Sequence, residues 1–233
     1  MPCGCRQPTP PENLPTYDWV DEATAMKVLA DRARAIRTTS AEVGLTLTRP
    51  DGQTVQFDGA MVTRPPDELR LQTFKFGRTV FDLTLNQQGM FVKTMDDPSR
   101  QDKIIPASES AAKFAREWAM FTGGLFEQPD LEVSSTASEL LVRRPLGDGR
   151  VVLCHVDRQT LTPRRYALLD AAGVERFTLK VSGYQTFDGV LHPTQLLARS
   201  DQGTIDIQIR SMEINVDPAP RAFEPPKDAR KLP

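Results

Sequence analysis

The chain has 233 residues, 31 acidic and 29 basic, with a formal charge of −2 and 39% hydrophobic residues. That length suits one domain with tails and is enough to bury a sizeable core, while the near balance of charge lacks the basic stripe of a nucleic-acid binder. No apolar run approaches the roughly 20 residues needed to span a bilayer as a helix, and of the 3 cysteines only Cys154 lies in the body, so no disulfide framework braces the domain.

Residues 1–17 are polar, Pro-rich and without periodicity, which reads as a flexible tether. The start Met1-Pro2-Cys3-Gly4-Cys5-Arg6 lacks the apolar stretch of a secretory signal. A Gly-Cys pair ahead of a polar stretch is also what remains when a bacterial lipoprotein signal has been cut, with the Cys carrying the lipid. A terminus with two incidental thiols accounts for the same residues.

The body is read as residues 18–216. Asp18 is a fair N-cap, and Ala23, Met26, Leu29, Ala30, Ala33 and Ile36 recur at helical spacing, predicting a helix over 19–37. After Ser40 the period changes to two: Val43, Leu45 and Leu47, a Pro50-Asp51-Gly52 turn, then Val55, Phe57, Gly59 and Met61. Leu69 and Leu71, then Phe81, Leu83 and Leu85, then Met90 to Val92 continue a meander of antiparallel hairpins. A second helix is expected from Ser108, with Ala111, Phe114, Ala115, Trp118 and Phe121 on one face and Gly123-Gly124 ending it. Strands resume at Leu140, Val151, Arg165, Phe177, Leu191 and Ile205, the last a strict Ile-Asp-Ile-Gln-Ile alternation. Residues 217–233 form a Pro-rich tail in which Phe223 is the large residue available to dock back.

The fold class is therefore α+β, with about ten or eleven antiparallel strands. A sheet of that many strands curls into a barrel or half-barrel, and the apolar stripes of two helices need its concave face. An apolar interior between sheet and helices follows.

Catalytic groups are scarce. Cys154 and His155 are strand neighbours and point to opposite faces. His155 and Asp157 share a face but lack a nucleophile, and His192 reads as a turn residue in Asp188–Pro193. Cys3 and Cys5 make a lone Cys-x-Cys, short of the four ligands of a structural zinc, and no phosphate-binding loop precedes a helix. No enzyme activity, cofactor or metal is expected.

Leu69–Leu85 carries the positive signal. A loop at Phe76-Gly77-Arg78 pairs Leu71 with Leu83 and Thr73 with Phe81, leaving Phe74 and Phe76 at a tip flanked by Lys75 and Arg78. Such a tip suits a surface that touches a membrane or inserts into a lipid; cover by another loop is the alternative. Candidate cavity contacts are Val43, Leu45, Phe57, Met61, Leu71, Phe81 and Leu83, facing Phe114, Trp118 and Phe121; each taken singly also reads as core packing.

At AEVGLTLTRPDGQTVQFDG and PPDELRLQTFKFGRTVFDLTLNQQGMFV the sequence resembles the LolA/LolB superfamily of lipoprotein-carrier folds, as it does at GYQTFDGVLHPTQLLARSDQGTIDIQIRSMEIN. Phe76 before Gly77 matches the protruding apolar residue of the LolB branch, with phenylalanine for leucine and no preceding proline. The resemblance implies an unclosed, highly curved sheet, a half β-barrel whose concave face is plugged by helices. It also implies an apolar cavity for acyl chains of lipoproteins or other lipids, on the periplasmic side of a bacterial envelope. A lipidated Cys5 would fit the membrane-anchored LolB branch at the outer membrane. The expected partners are lipid or lipoprotein acyl chains, the membrane surface and a periplasmic carrier protein, with no nucleic acid. The alternatives are an envelope interaction or sensor module of the same fold and, with few acid-base groups to support it, a small-molecule enzyme.

Overall fold

The computed structural model describes residues 14–18, 20–94, 124–201 and 203–232. One meander comprises β1 (Thr39–Thr48), β2 (Thr54–Arg64), β3 (Glu68–Lys75), β4 (Arg78–Asn86) and β5 (Gly89–Thr94). A 3-10 turn at Gly124–Glu127 precedes the second, made of β6 (Glu132–Ser135), β7 (Glu139–Pro145), β8 (Val151–Asp157), β9 (Pro163–Leu169), β10 (Glu175–Phe187), β11 (Val190–Ser200) and β12 (Gly203–Ile214). β13 (Arg230–Lys231) closes the chain. All are antiparallel members of one 13-stranded sheet, in the order β13-β5-β4-β3-β2-β1-β12-β11-β10-β9-β8-β7-β6. The two meanders meet along β1 and β12, which pair from Thr39↔Ile214 to Thr48↔Thr204 across a bulge beside Glu42. The sheet is curved and open, with β13 and β6 at its edges.

Thirteen strands exceed the expected ten or eleven because β6 and β13 carry no apolar alternation. Glu132-Val-Ser-Ser and Arg230-Lys231 are held by the backbone of an existing edge, so their own side chains give no period to read.

The first helix, α1, is Glu22–Arg34, shorter than the expected 19–37. Asp21, not Asp18, is its N-cap: the carboxylate accepts from the Thr24 backbone N–H at 2.7 Å and from the Thr24 hydroxyl at 3.0 Å. Asn215 at the end of β12 sets the other limit. Its side chain accepts from the Arg37 N–H at 2.7 Å and donates to the Ala35 carbonyl at 2.8 Å, turning the chain into β1. Ala25, Leu29 and Ala30 are buried, whereas Ala23 is exposed. α1 packs against β7 to β10 through Leu140, Val142, Val152, Cys154, Leu179 and Val181. It is the one α-helix among the described residues, so a pair of helices plugging the concave face is not seen. The second expected helix lies outside the described residues.

A second cluster fills the same side of the other meander: Ala41, Val43, Leu45, Met61, Leu69, Phe81, Leu83 and Leu85, with Ile207 and Ile209. β4 is buried on both faces from Phe81 to Leu85. Its outer face is covered by the C-terminal segment. Arg64 lies 4.9 Å over the ring of buried Phe223, Asn86 donates to the Phe223 carbonyl at 3.0 Å, and Lys93 donates to the Lys227 carbonyl at 3.0 Å. Beneath this strap Arg70 holds Asp82 through two bonds, 3.1 Å and 2.8 Å, and Gln72 adds a third at 2.9 Å. Arg70 also donates to the Ala222 carbonyl at 3.3 Å.

Candidate functional site: an apolar cleft and an aromatic tip

Between the C-terminal half of α1 and the ends of β2, β10 and β11 lies a cleft of about 130 Å³. Its apolar wall includes Leu29, Ile36, Met61, Phe126, Leu179 and Leu196, which the 3.6 and 2.0 periods of helix and strand direct to one side. An engineered cavity of about 150 Å³ holds one benzene ring, so this cleft takes a ring-sized group or about five methylenes.

Polar groups also line the cleft, and most are already bonded. Thr39 and Thr63, opposite each other on β1 and β2, share a hydrogen bond of 2.7 Å, and Thr162 pairs with Thr160 at 2.7 Å. The Tyr184 hydroxyl donates to the Pro163 carbonyl at 2.6 Å. Arg32 gives Nη1 to the Leu161 carbonyl at 2.6 Å and Nη2 to the Tyr17 hydroxyl at 2.8 Å. Tyr166 bonds buried Cys154, and burial holds both groups well above their ordinary pKa ranges. His192 is the remaining polar group. Nδ1 donates to the Pro193 carbonyl at 2.7 Å, and burial pushes the imidazole below its ordinary range against the raising effect of that bond. His192 is thus neutral near pH 7, with Nδ1 protonated and Nε2 an acceptor.

A second, polar depression of about 470 Å³ adjoins the cleft and shares Ala33, Ile36 and Pro65 with it. Arg34, Arg37, Arg64, Glu127 and Asp217 line it.

At the other end of the sheet, β3 and β4 join through Phe76-Gly77 alone, in place of the three-residue loop expected from spacing. Both residues have positive φ, 51° and 72°, as a type I′ turn requires. A bulge between Thr73 and Phe74 absorbs the extra residue, so Leu71 still faces Leu83 and Thr73 still faces Phe81. Phe76 is 94% exposed, whereas Phe74 is half-buried. Lys75 Nζ lies 5.9 Å from the ring centroids of both Phe57 and Phe76. Among the described residues the other exposed large apolar side chains are Val174 at 50% and Ile205 at 39%. The ladders put both at the same end as Phe76, since Thr48 pairs with Thr54 and Thr204, and Ser200 with Gly203 and Phe177. From Leu69, opposite Thr63 at the cleft, β3 advances ~23 Å to reach Phe76, at about 3.3 Å per residue. Tip and cleft occupy opposite ends.

The other sequence-derived candidates divide accordingly. Met61 alone lines the cleft; Val43, Leu45, Phe81 and Leu83 are buried in the second cluster, with half-buried Phe57 and Leu71 packed against them. Phe114, Trp118, Phe121 and Cys5 lie outside the described residues. His192 belongs to β11 and the cleft, not to a turn. Its strand opens with Val190-Leu191-His192-Pro193, where no alternation of apolar and polar residues marks an inward histidine. His155 is bonded to Glu139 at 3.1 Å on the outer side, not to Asp157, which holds Thr160 and Arg164.

No protein-family profile matches the chain, and no curated protein matches it. Solved structures do. A LolA superfamily protein from Nitrosomonas europaea superposes with a TM-score of 0.56 at 14% identity, covering 85% of this chain and 96% of that one. A DUF1329 family protein from Desulfovibrio piger gives a TM-score of 0.61 at 12% identity, covering 88% and 98%. An outer membrane lipoprotein-sorting protein domain from Vibrio parahaemolyticus gives 0.55 at 11%, covering 88% and 97%. The chain has a LolA/LolB-like fold. No helix among the described residues is long and apolar enough to cross a membrane. Nor do three or more His, Cys, Asp or Glu side chains converge among them as a metal site.

Proposed function

We propose that this protein binds an acyl chain of a lipoprotein or other envelope lipid in the apolar interior of its LolA/LolB-like fold. It acts as a carrier or outer-membrane acceptor on the periplasmic side of a bacterial envelope and catalyses no reaction. The apolar cleft beneath α1 carries this reading. Five methylenes there contribute ~4 kcal/mol at about 0.8 kcal/mol each before ordering costs. Half-buried Phe57 and Leu71, packed against the second cluster on the side toward the tip, offer further apolar contact to the chain. Phe76, with Phe74 behind it, inserts into a membrane or lipid while Lys75 and Arg78 meet anionic headgroups. Cys5 carries the anchor. A domain of similar shape described as lipoprotein-sorting supports the reading.

Delipidated protein titrated with a fluorescent fatty acid should bind saturably, and Ala33→Phe, which narrows the cleft mouth, should weaken that binding at least tenfold. Absence of saturable binding ends the proposal. Intact mass from native membranes tests Cys5, since an unmodified terminus removes the anchor.

One observation favours a second reading, an envelope interaction or sensor module without lipid transfer: Val43, Leu45, Phe81 and Leu83 are packed as solid core. A stoichiometric protein partner recovered without lipid would support it.

A further inference from the structure

The cleft's polar lining is selective in what it leaves open. Its threonines are bonded to other threonines, its tyrosines to Pro163 and Cys154, and both terminal nitrogens of Arg32 are committed. Nδ1 of His192 is held by the Pro193 carbonyl, which fixes the tautomer and turns Nε2 into a lone-pair acceptor. Nε2 has no protein partner among the described residues. An acceptor in an apolar wall disfavours a purely hydrocarbon occupant and rewards one that brings a proton donor to the right depth.

We infer that the cleft selects an acyl group carrying a hydrogen-bond donor, an amide N–H or a hydroxyl, which it presents to Nε2 of His192. This rests on the cleft being a ligand site and names the chemistry that site prefers. An N-acylated amine and a hydroxylated acyl chain share that chemistry; an ester-linked chain lacks it. The cleft's volume, room for about five methylenes, admits only a short alkyl run beside the donor.

The experiment titrates the full protein with N-hexylacetamide, 2-octanol and hexyl acetate, which differ chiefly in the donor. Competition against a bound fluorescent acyl probe reads the affinities. At least one donor probe should bind about 3- to 10-fold tighter than the ester, the span of one net hydrogen bond. Tighter amide binding identifies an N-acylated source, and tighter alcohol binding a hydroxylated chain. His192→Phe, which keeps the ring and removes the acceptor, should bring the ratio to one while ester binding persists. Because that variant can fail to fold, the wild-type protein supplies a second readout. With ¹⁵N-labelled histidine, the Nε2 resonance of His192 should shift upfield on adding the donor probe and hold still with the ester; His155, the other of the chain's two histidines, is the internal control. Equal affinities with an unmoved Nε2 overturn the inference and leave the cleft as a ligand site. Failure of all three probes to compete overturns both.

Discussion

The C-terminal strap makes a sharp prediction about burial and charge. Asp82 and Asp58 are both strand aspartates paired with an arginine, but their surroundings differ. The Arg70–Asp82 pair lies under residues 221–223 with side chains 21% and 7% exposed; the Arg210–Asp58 pair is 57% and 71% exposed. Asp82→Ala removes the acceptor of three hydrogen bonds and leaves the Arg70 guanidinium and the Gln72 amide facing a covered surface. Breaking a buried pair from one side costs about 3–5 kcal/mol, and the partial exposure of Arg70 reduces that to ~2–3 kcal/mol. Asp58→Ala should cost no more than ~0.5 kcal/mol. With a urea slope of ~2–3 kcal/mol/M, the Asp82→Ala midpoint falls by about 1 M and that of Asp58→Ala barely moves. Limited trypsin digestion gives an independent readout, because a loosened strap frees the backbone at exposed Lys227 and Arg230 to enter the protease first. Replacing both partners, Arg70→Met with Asp82→Leu, should recover most of the loss, since apolar cover suits the strap as well. Equal midpoint shifts for Asp82→Ala and Asp58→Ala would refute the claim that the strap desolvates this pair.

Three more outcomes follow from the geometry. Phe76 holds φ at 51°, where a bulky residue is strained, so Phe76→Asn should raise stability by about 0.5–1 kcal/mol while lowering binding to anionic vesicles, read by denaturation and co-sedimentation. Cys154 is buried with its thiol pushed far above the ordinary range, so native protein should resist alkylation there and label only on unfolding, mapped by peptide mass. His192 has its folded pKa below the ordinary 6.5, so the unfolded chain takes up the proton first. Its contribution is full above pH ~6.5 and is lost as pH falls through the lowered folded value. The difference between wild type and His192→Phe in denaturation from pH 7.5 to 5 should show that loss, and parallel curves would contradict it.

Much of the fold is legible in the residues. Alternation in Val43–Leu47, Phe57–Met61 and Ile205–Ile209 marks strands whose pairing is then forced, because a slip by one residue would turn every apolar side chain outward. Hence Leu71 meets Leu83 although the turn is one residue shorter than the spacing predicts; the bulge at Thr73/Phe74 makes up the difference. The site was far less legible. Local sequence favoured the Phe57–Leu83 face as a cavity, but a periodic apolar residue reads the same whether it lines a void or fills a core.

What the sequence determined by itself is each element's period and the side on which its apolar residues stand, since these are set by interactions a few residues apart. Only the tertiary structure decided that β1 and β12 close two meanders into one sheet and that Arg230-Lys231 finishes an edge. It likewise decided that the strap buries Asp82 and that His192 meets Thr63 and Leu29 across one cleft. Those contacts join residues more than a hundred positions apart, and their energies depend on what covers them, a quantity that no local pattern encodes.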